Sequence, residues 1–85
     1  MSYSISYVPS AAKALRKLDR PTARRLAASI RALSEEPRPP GCLQLKGGSG
    51  ELRIRVGDYR VIYEVIDDEL IVLVLHLGHR REVYR

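Results

Sequence analysis

The sequence predicts a single α+β domain over residues 1–85, in which a helical hairpin packs on one face of a small, mainly antiparallel four-stranded sheet. Three observations predict it: a short alternating segment at the N-terminus, two amphipathic stretches of helical period, and three β-type runs separated by turn residues. In chain order they give β-α-α-β-β-β, a layer of helices beside a sheet. A chain of 85 residues can bury one small core.

The first strand and the two helices follow from the spacing of apolar residues. Tyrosine or isoleucine alternates with serine at positions 3, 5 and 7, which predicts a half-buried strand over residues 2–8. Pro9 and Ser10 end this strand and lead into a short helix over residues 11–18, whose apolar residues share one face. A second helix runs from Pro21, which suits a first helical turn, to residue 33. Their short connection predicts an antiparallel hairpin.

Three strands are predicted in the second half of the chain, over residues 51–56, 59–66 and 70–77. They are separated by Gly57-Asp58 and Asp67-Asp68, which are typical turn residues. Proline-rich and glycine-rich segments between residues 37 and 50 form the loop that precedes them. Because both helices cover one face of the sheet, we expect the other face to carry the function.

Arginines alternate with aliphatic residues in the first of these strands, so Arg53 and Arg55 lie on the side opposite to the apolar residues. If Gly57-Asp58 closes a two-residue loop, Arg55 faces Arg60 on the next strand. Like charges directly across a strand pair are destabilising, and the planar guanidinium is well shaped for a phosphate. The pattern therefore predicts an anion-binding face.

The C-terminal segment adds to this basic character, because residues 78–85 read GHRREVYR. The net charge of the chain is +5 and its pI is about 9.8. The arginines lie in helical and strand positions rather than in a loose tail, which favours a folded basic surface over a disordered arm. Nucleic acid is the first expectation for a polyanionic ligand of such a surface.

Composition excludes several other classes of protein. One cysteine, Cys42, cannot form an intrachain disulfide, and one cysteine with two histidines offers no zinc-type cluster, so we expect no metal or other cofactor. The longest apolar run, residues 70–75, is too short to cross a bilayer, and residues 1–8 lack the pattern of a signal peptide. We therefore expect a cytoplasmic protein with no membrane partner.

The same residues resemble those of a known family. The helical hairpin, the segment Gln44-Leu45-Lys46-Gly47, the two arginine-bearing strands and the C-terminal GHRREVYR are similar to a RelE-type toxin of the RelE/ParE superfamily, from type II toxin-antitoxin systems. The resemblance implies an endoribonuclease that enters the ribosomal A site, cuts messenger RNA by metal-independent attack of the 2′-hydroxyl and so inhibits translation. It also implies a cognate RelB-like antitoxin, in an oligomeric complex that binds operator DNA through the antitoxin.

The resemblance and the chemistry of the side chains together give two sets of site residues. Some family members carry lysines where this chain has Arg53 and Arg55, and an arginine is a poor general base. The proton of the ribose hydroxyl is then assigned either to His79, since imidazole exchanges protons near neutral pH, or to Tyr84, whose alternative role is to stack on a base. The catalytic set is Arg60, His79, Arg80 and Tyr84, and the RNA-binding set is Lys46, Arg53, Arg55, Arg81 and Arg85.

Two other functions share this scaffold. The ParE branch has the same order of elements but poisons DNA gyrase without cutting RNA, and a degenerate member would only bind its antitoxin and act in autoregulation on DNA. The C-terminal His-Arg-Arg and the late tyrosine favour the nuclease. Single residues also have plainer interpretations, with His76 as a surface or packed strand histidine and Arg24, Arg25 and Arg31 as a solvated helix face.

Overall fold

The computed structural model describes residues 2–45, 50–79 and 81. The α+β class predicted from the sequence is confirmed. In chain order the elements are β1 (Ser4–Tyr7), α1 (Pro9–Lys17), α2 (Arg20–Ala32), β2 (Leu43–Gln44), β3 (Leu52–Val56), β4 (Tyr59–Ile66), a 3₁₀ turn (Asp67–Glu69) and β5 (Ile71–His79).

The described strands form one mixed sheet in the order β1-β5-β4-β3-β2. β1 runs parallel to β5, and the other neighbours are antiparallel. The predicted number of four strands was too low by β2, which pairs Leu43 with Arg53 and Gln44 with Leu52. β2 has only two residues, both exposed, and is therefore too short for a periodic pattern to reveal it.

Both helices begin with recognisable N-terminal signals. Pro9 is the first residue of α1, which therefore starts two residues before the predicted position. Asp19 caps α2, because its Oδ2 accepts hydrogen bonds from the backbone N–H (3.2 Å) and the hydroxyl (2.9 Å) of Thr22. These bonds lower the pKa of Asp19. α1 lies over β5 and β1, and α2 lies beside β3.

The core lies between the helices and one face of the sheet. The hydroxyl of Tyr63, a fully buried residue of β4, donates to the carbonyl of Pro37 at 2.7 Å and ties the sheet to the loop after α2. Burial raises the pKa of Tyr63. The buried apolar side chains are Ala11, Leu26, Ile30, Leu33, Leu52, Val61, Tyr63, Val72, Val74 and Leu77.

A three-residue cluster fastens the end of the sheet at the β4–β5 turn. Asp67 accepts a hydrogen bond from the hydroxyl of Tyr3 (2.7 Å) and two from the guanidinium of Arg38 (3.3 and 2.9 Å). The bonds from Arg38 and then from Tyr3 lower the pKa of Asp67. Leu70, the residue after the 3₁₀ turn, has the left-handed conformation with φ of 54°. β5 therefore begins at Ile71 and not at the predicted residue 70.

A bulge in β5 changes which of its side chains share a face. Ile62 pairs with His76, but the next residue of β4, Tyr63, pairs with Val74, so Leu75 is an extra residue in the ladder. Before the bulge, Val72 and Val74 face the core, and after it Leu77 does. The extra residue therefore turns His76 away from the core. None of the described helices is long and apolar enough to cross a membrane.

Candidate functional site

The predicted pair of facing arginines is confirmed. Arg55 of β3 pairs directly with Arg60 of β4, and on the other side of β4 Arg60 pairs with Gly78 of β5. The three residues form one row across the sheet, on the face opposite to the helices. Arg55 is exposed, whereas Arg60 is only 8% exposed. Because Gly78 has no side chain, it leaves room beside the guanidinium of Arg60.

The turn that sets this register uses one residue with positive φ. Gly57 has φ of 62°, and Asp58 is not among the described residues with positive φ, a combination that fits a type II′ turn. A Cβ atom at Gly57 would lie 3.0 Å from Nη2 of Arg25. The guanidinium of Arg25, which was interpreted as part of a solvated helix face, thus reaches from α2 to the tip of the hairpin.

A second row lies next to the first on the same face. It contains Arg53, Ile62 and His76, paired across β3, β4 and β5. Arg53 is half-buried and His76 is exposed. The structure therefore brings Arg53, Arg55 and Arg60 together, as predicted, and adds a histidine that was not among the predicted site residues.

The signal for His76 was present in the sequence but easy to misread. Residues 71–75 are all apolar, so they carry no alternation that would define the two faces of β5. With strict alternation, His76 shares the core face of Val72 and Val74, where an exposed imidazole does not belong. A polar residue at a core position of an apolar strand indicates a change of phase, and the bulge supplies it.

His79 lies at the end of β5 and on the other face of the sheet. It pairs with Tyr59, and the two rings meet edge to face with centroids 5.6 Å apart. Nδ1 of His79 accepts the backbone N–H of Arg81 at 3.3 Å. Because paired residues share a face and Tyr59 precedes Arg60 in β4, the structure does not bring His79 onto the face that carries Arg60.

Of the remaining predicted site residues, one is exposed and four lie outside the described residues. Arg81 is exposed and lies two residues after the end of β5. No group of three or more His, Cys, Asp or Glu side chains that could hold a metal ion occurs in the part of the chain that the structure describes. Lys46, Arg80, Tyr84 and Arg85 lie outside the described residues.

A groove of about 590 Å³ borders the arginine face on the side of β3. It is lined by the C-terminal half of α2, by the loop after α2, which includes Glu36, and by Arg53 and Arg55 of β3. Leu43, which lies in its lining, is 52% exposed. An exposed leucine beside two arginines offers a partner both apolar contact and positive charge.

Comparisons with known proteins give a consistent result. The family model of the ParE toxin of type II toxin-antitoxin systems matches residues 5–84. Toxin RelG of Mycobacterium tuberculosis is 32% identical and aligns over 100% of this chain and 99% of its own. The mRNA interferase toxin RelE of Escherichia coli is 30% identical over 99% of this chain and 92% of its own. The archaeal RelE in the RelE-RelB complex from Pyrococcus horikoshii superposes with a TM-score of 0.81, at 32% identity, over 94% of this chain and 97% of the other.

Proposed function

The chain belongs to the RelE/ParE superfamily of toxins from type II toxin-antitoxin systems, and we propose that it is an mRNA interferase that acts in the cytoplasm. It would enter the A site of translating ribosomes, cut messenger RNA there without a metal ion and thereby inhibit translation. The similarity to a RelE that is named an mRNA interferase supports this class of reaction.

The observation that carries the proposal is the position of Arg60. This side chain is almost completely buried, it faces Arg55 across the hairpin, and a glycine lies on its other side. Two facing guanidinium groups repel each other across a strand pair. A phosphate bound at this row would offset the repulsion and accept paired hydrogen bonds from the planar donors.

The proposed reaction is an in-line transfer within the RNA backbone. The ribose 2′-oxygen attacks the adjacent phosphorus, so the bond between them forms while the bond from phosphorus to the 5′-oxygen breaks, leaving a 2′,3′-cyclic phosphate and a 5′-hydroxyl. The proton of the 2′-hydroxyl passes to a base, and the leaving 5′-oxygen takes up a proton. Arg60 and Arg80 neutralise the charge that develops on the phosphorane, and each such donor is worth about 3 kcal/mol.

The other site residues bind RNA or handle the proton. Phosphate contacts make binding dependent on salt, and an aromatic ring stacks on an unpaired base. Tyr84 stacks on a base or takes part in proton transfer. The sequence offered His79 as the alternative proton acceptor, but His79 shares the face of Tyr59 and not that of Arg60. The RNA-binding residues are Lys46, Arg53, Arg55, Arg81 and Arg85.

A RelB-like antitoxin is the partner that fits this toxin, since the similar archaeal RelE was solved in complex with RelB. The groove beside α2 places the exposed Leu43 near Arg53 and Arg55. An acidic, amphipathic segment would put apolar side chains against Leu43 and carboxylates near the two arginines. The complex would be oligomeric and would bind operator DNA through the antitoxin.

A ParE-type gyrase poison is the second candidate, because the matching family model is that of the ParE toxin. Induction of the protein without an antitoxin separates the two functions. We expect growth to stop with messenger RNA cut on translating ribosomes and with intact chromosomal DNA. DNA breaks without RNA cutting would favour the gyrase poison. In the same experiment Arg60→Ala should abolish the RNA cutting. Arg24→Ala, which removes an exposed arginine from α2, is its matched control and should not.

A further inference from the structure

The bulge at Leu75 places an imidazole on the arginine face of the sheet. We propose that His76 is the proton acceptor for the 2′-hydroxyl in the cleavage site, an inference that rests on the RNA-cleaving function proposed above. His76 pairs with Ile62, and Arg60 is the residue two positions before Ile62 in β4. Residues in this diagonal relationship lie about 7 to 8 Å apart between α-carbons, within reach of long side chains.

The chemistry of the neighbouring side chains supports this assignment. Guanidinium groups remain protonated at physiological pH, so the arginines can bind the phosphate but do not accept the proton. Imidazole accepts and donates protons near neutral pH. His76 is exposed, so an RNA ribose bound over Arg60 and Gly78 can approach it from solvent.

The charged groups around His76 can be assigned from the strand register. β4 contributes Arg60 on one side and Glu64 on the other, and β3 contributes Arg53 and Arg55. Beyond β5, β1 contributes only serines to this face, and the helices lie on the opposite face. Among the described residues of this face, His76, Glu64 and Glu51, which directly precedes β3, can accept a proton at neutral pH, and His76 is the nearest of the three to the row of Arg60 in the ladder.

His79 is differently placed for the same task. It shares the face of Tyr59, and its Nδ1 accepts the backbone N–H of Arg81. When Nδ1 of a neutral imidazole accepts a hydrogen bond, the ring proton lies on Nε2, which then donates rather than accepts. His79 therefore lies on the opposite face of the sheet from Arg60. Its Nε2 also carries the ring proton, so this nitrogen cannot accept the proton of the 2′-hydroxyl.

The test is single-turnover cleavage of messenger RNA on programmed ribosomes, at saturating toxin and between about pH 5.5 and 8. We expect His76→Ala to lower the rate by about 10²- to 10³-fold and to flatten its rise with pH, while the ribosome affinity changes by less than about twofold. Added imidazole should restore part of the rate, an effect that a purely structural role of His76 would not give. Ser6→Ala, a small change on the same face, is the control. It should leave the cleavage rate and the pH profile unchanged.

Each other outcome has a definite meaning. A wild-type rate and pH profile for His76→Ala would overturn the inference and leave the nuclease function intact. The inference would also be wrong if His79→Ala or Glu64→Gln, rather than His76→Ala, flattened the profile. If the wild-type protein cut no RNA on ribosomes, both the proposed function and the role of His76 would be rejected together.

Discussion

Arg55 and Arg60 face each other directly across the β3–β4 hairpin, yet Arg55 is exposed and Arg60 is 8% exposed. The two arginines therefore differ in how firmly their positions are held. The exposed guanidinium can move to meet a ligand, whereas the buried one is fixed by its surroundings. A fixed donor aimed at developing charge stabilises a transition state more than a mobile one.

From this difference we expect Arg60→Ala to reduce RNA cleavage by about 10²- to 10³-fold. The free energy of unfolding is measured beside the cleavage rate, so that a loss of stability can be told from a loss of transition-state stabilisation. Primer extension on programmed ribosomes and urea unfolding measure the two effects. Arg24→Ala is the control, and full cleavage by Arg60→Ala would remove Arg60 from the site.

The sequence allowed the facing of Arg55 and Arg60 to be predicted, because arginine alternates with aliphatic residues in β3 and turn residues separate β3 from β4. Tyr59–Ile66 was predicted with its observed bounds for the same reason. The bulge of β5 could not be located, since five consecutive apolar residues fit either face. The pairing of Arg60 with Gly78 follows from the bulge in β5 and therefore from the register of the sheet, which the local pattern does not reveal.

A second prediction concerns Tyr84, whose proposed roles differ in what they require. Stacking on a base needs the aromatic ring, whereas proton transfer needs the hydroxyl. If Tyr84 stacks, Tyr84→Phe should retain most of the single-turnover cleavage rate and Tyr84→Ala should lose it. Equal losses in both variants would instead assign proton transfer to the hydroxyl.

A third prediction concerns Asp67 in the three-residue cluster at the β4–β5 turn, where it binds Tyr3 and Arg38. The hydrogen bonds from Arg38 and Tyr3 lower the pKa of Asp67 in the folded state. Such a carboxylate stabilises the fold above its unfolded pKa of about 3.9, and this contribution is lost as the pH falls through the lower folded value. Urea unfolding should therefore show Asp67→Asn to be less stable than wild type at pH 7, with the difference shrinking below about pH 3.5. The same change at the neighbouring Asp68 is the control, and an equal loss there would contradict the assignment.

A fourth prediction concerns the buried hydroxyl of Tyr63, which donates to the carbonyl of Pro37 at 2.7 Å. Tyr63→Phe leaves this carbonyl without its donor and should cost about 1 kcal/mol of unfolding free energy at pH 7. Because burial raises the pKa of Tyr63, the stabilisation is complete below the unfolded pKa and declines as the pH rises toward the folded one. Wild type should thus lose more stability than Tyr63→Phe above about pH 10, and parallel curves would contradict this origin of the shift.

The last prediction concerns the antitoxin, which would meet both a charged and an apolar surface. Arg53 and Arg55 line the groove in which Leu43 is exposed, so binding should combine screened attraction with apolar burial. Surface charges are screened by salt, whereas apolar burial is not, so affinity should fall as ionic strength rises and then level off. Leu43→Ser should weaken the binding that remains at high salt, and Arg53→Gln should reduce the salt dependence. Titration of the pair across ionic strength distinguishes the two effects, and an affinity that does not respond to salt would show that the arginines do not contact the antitoxin.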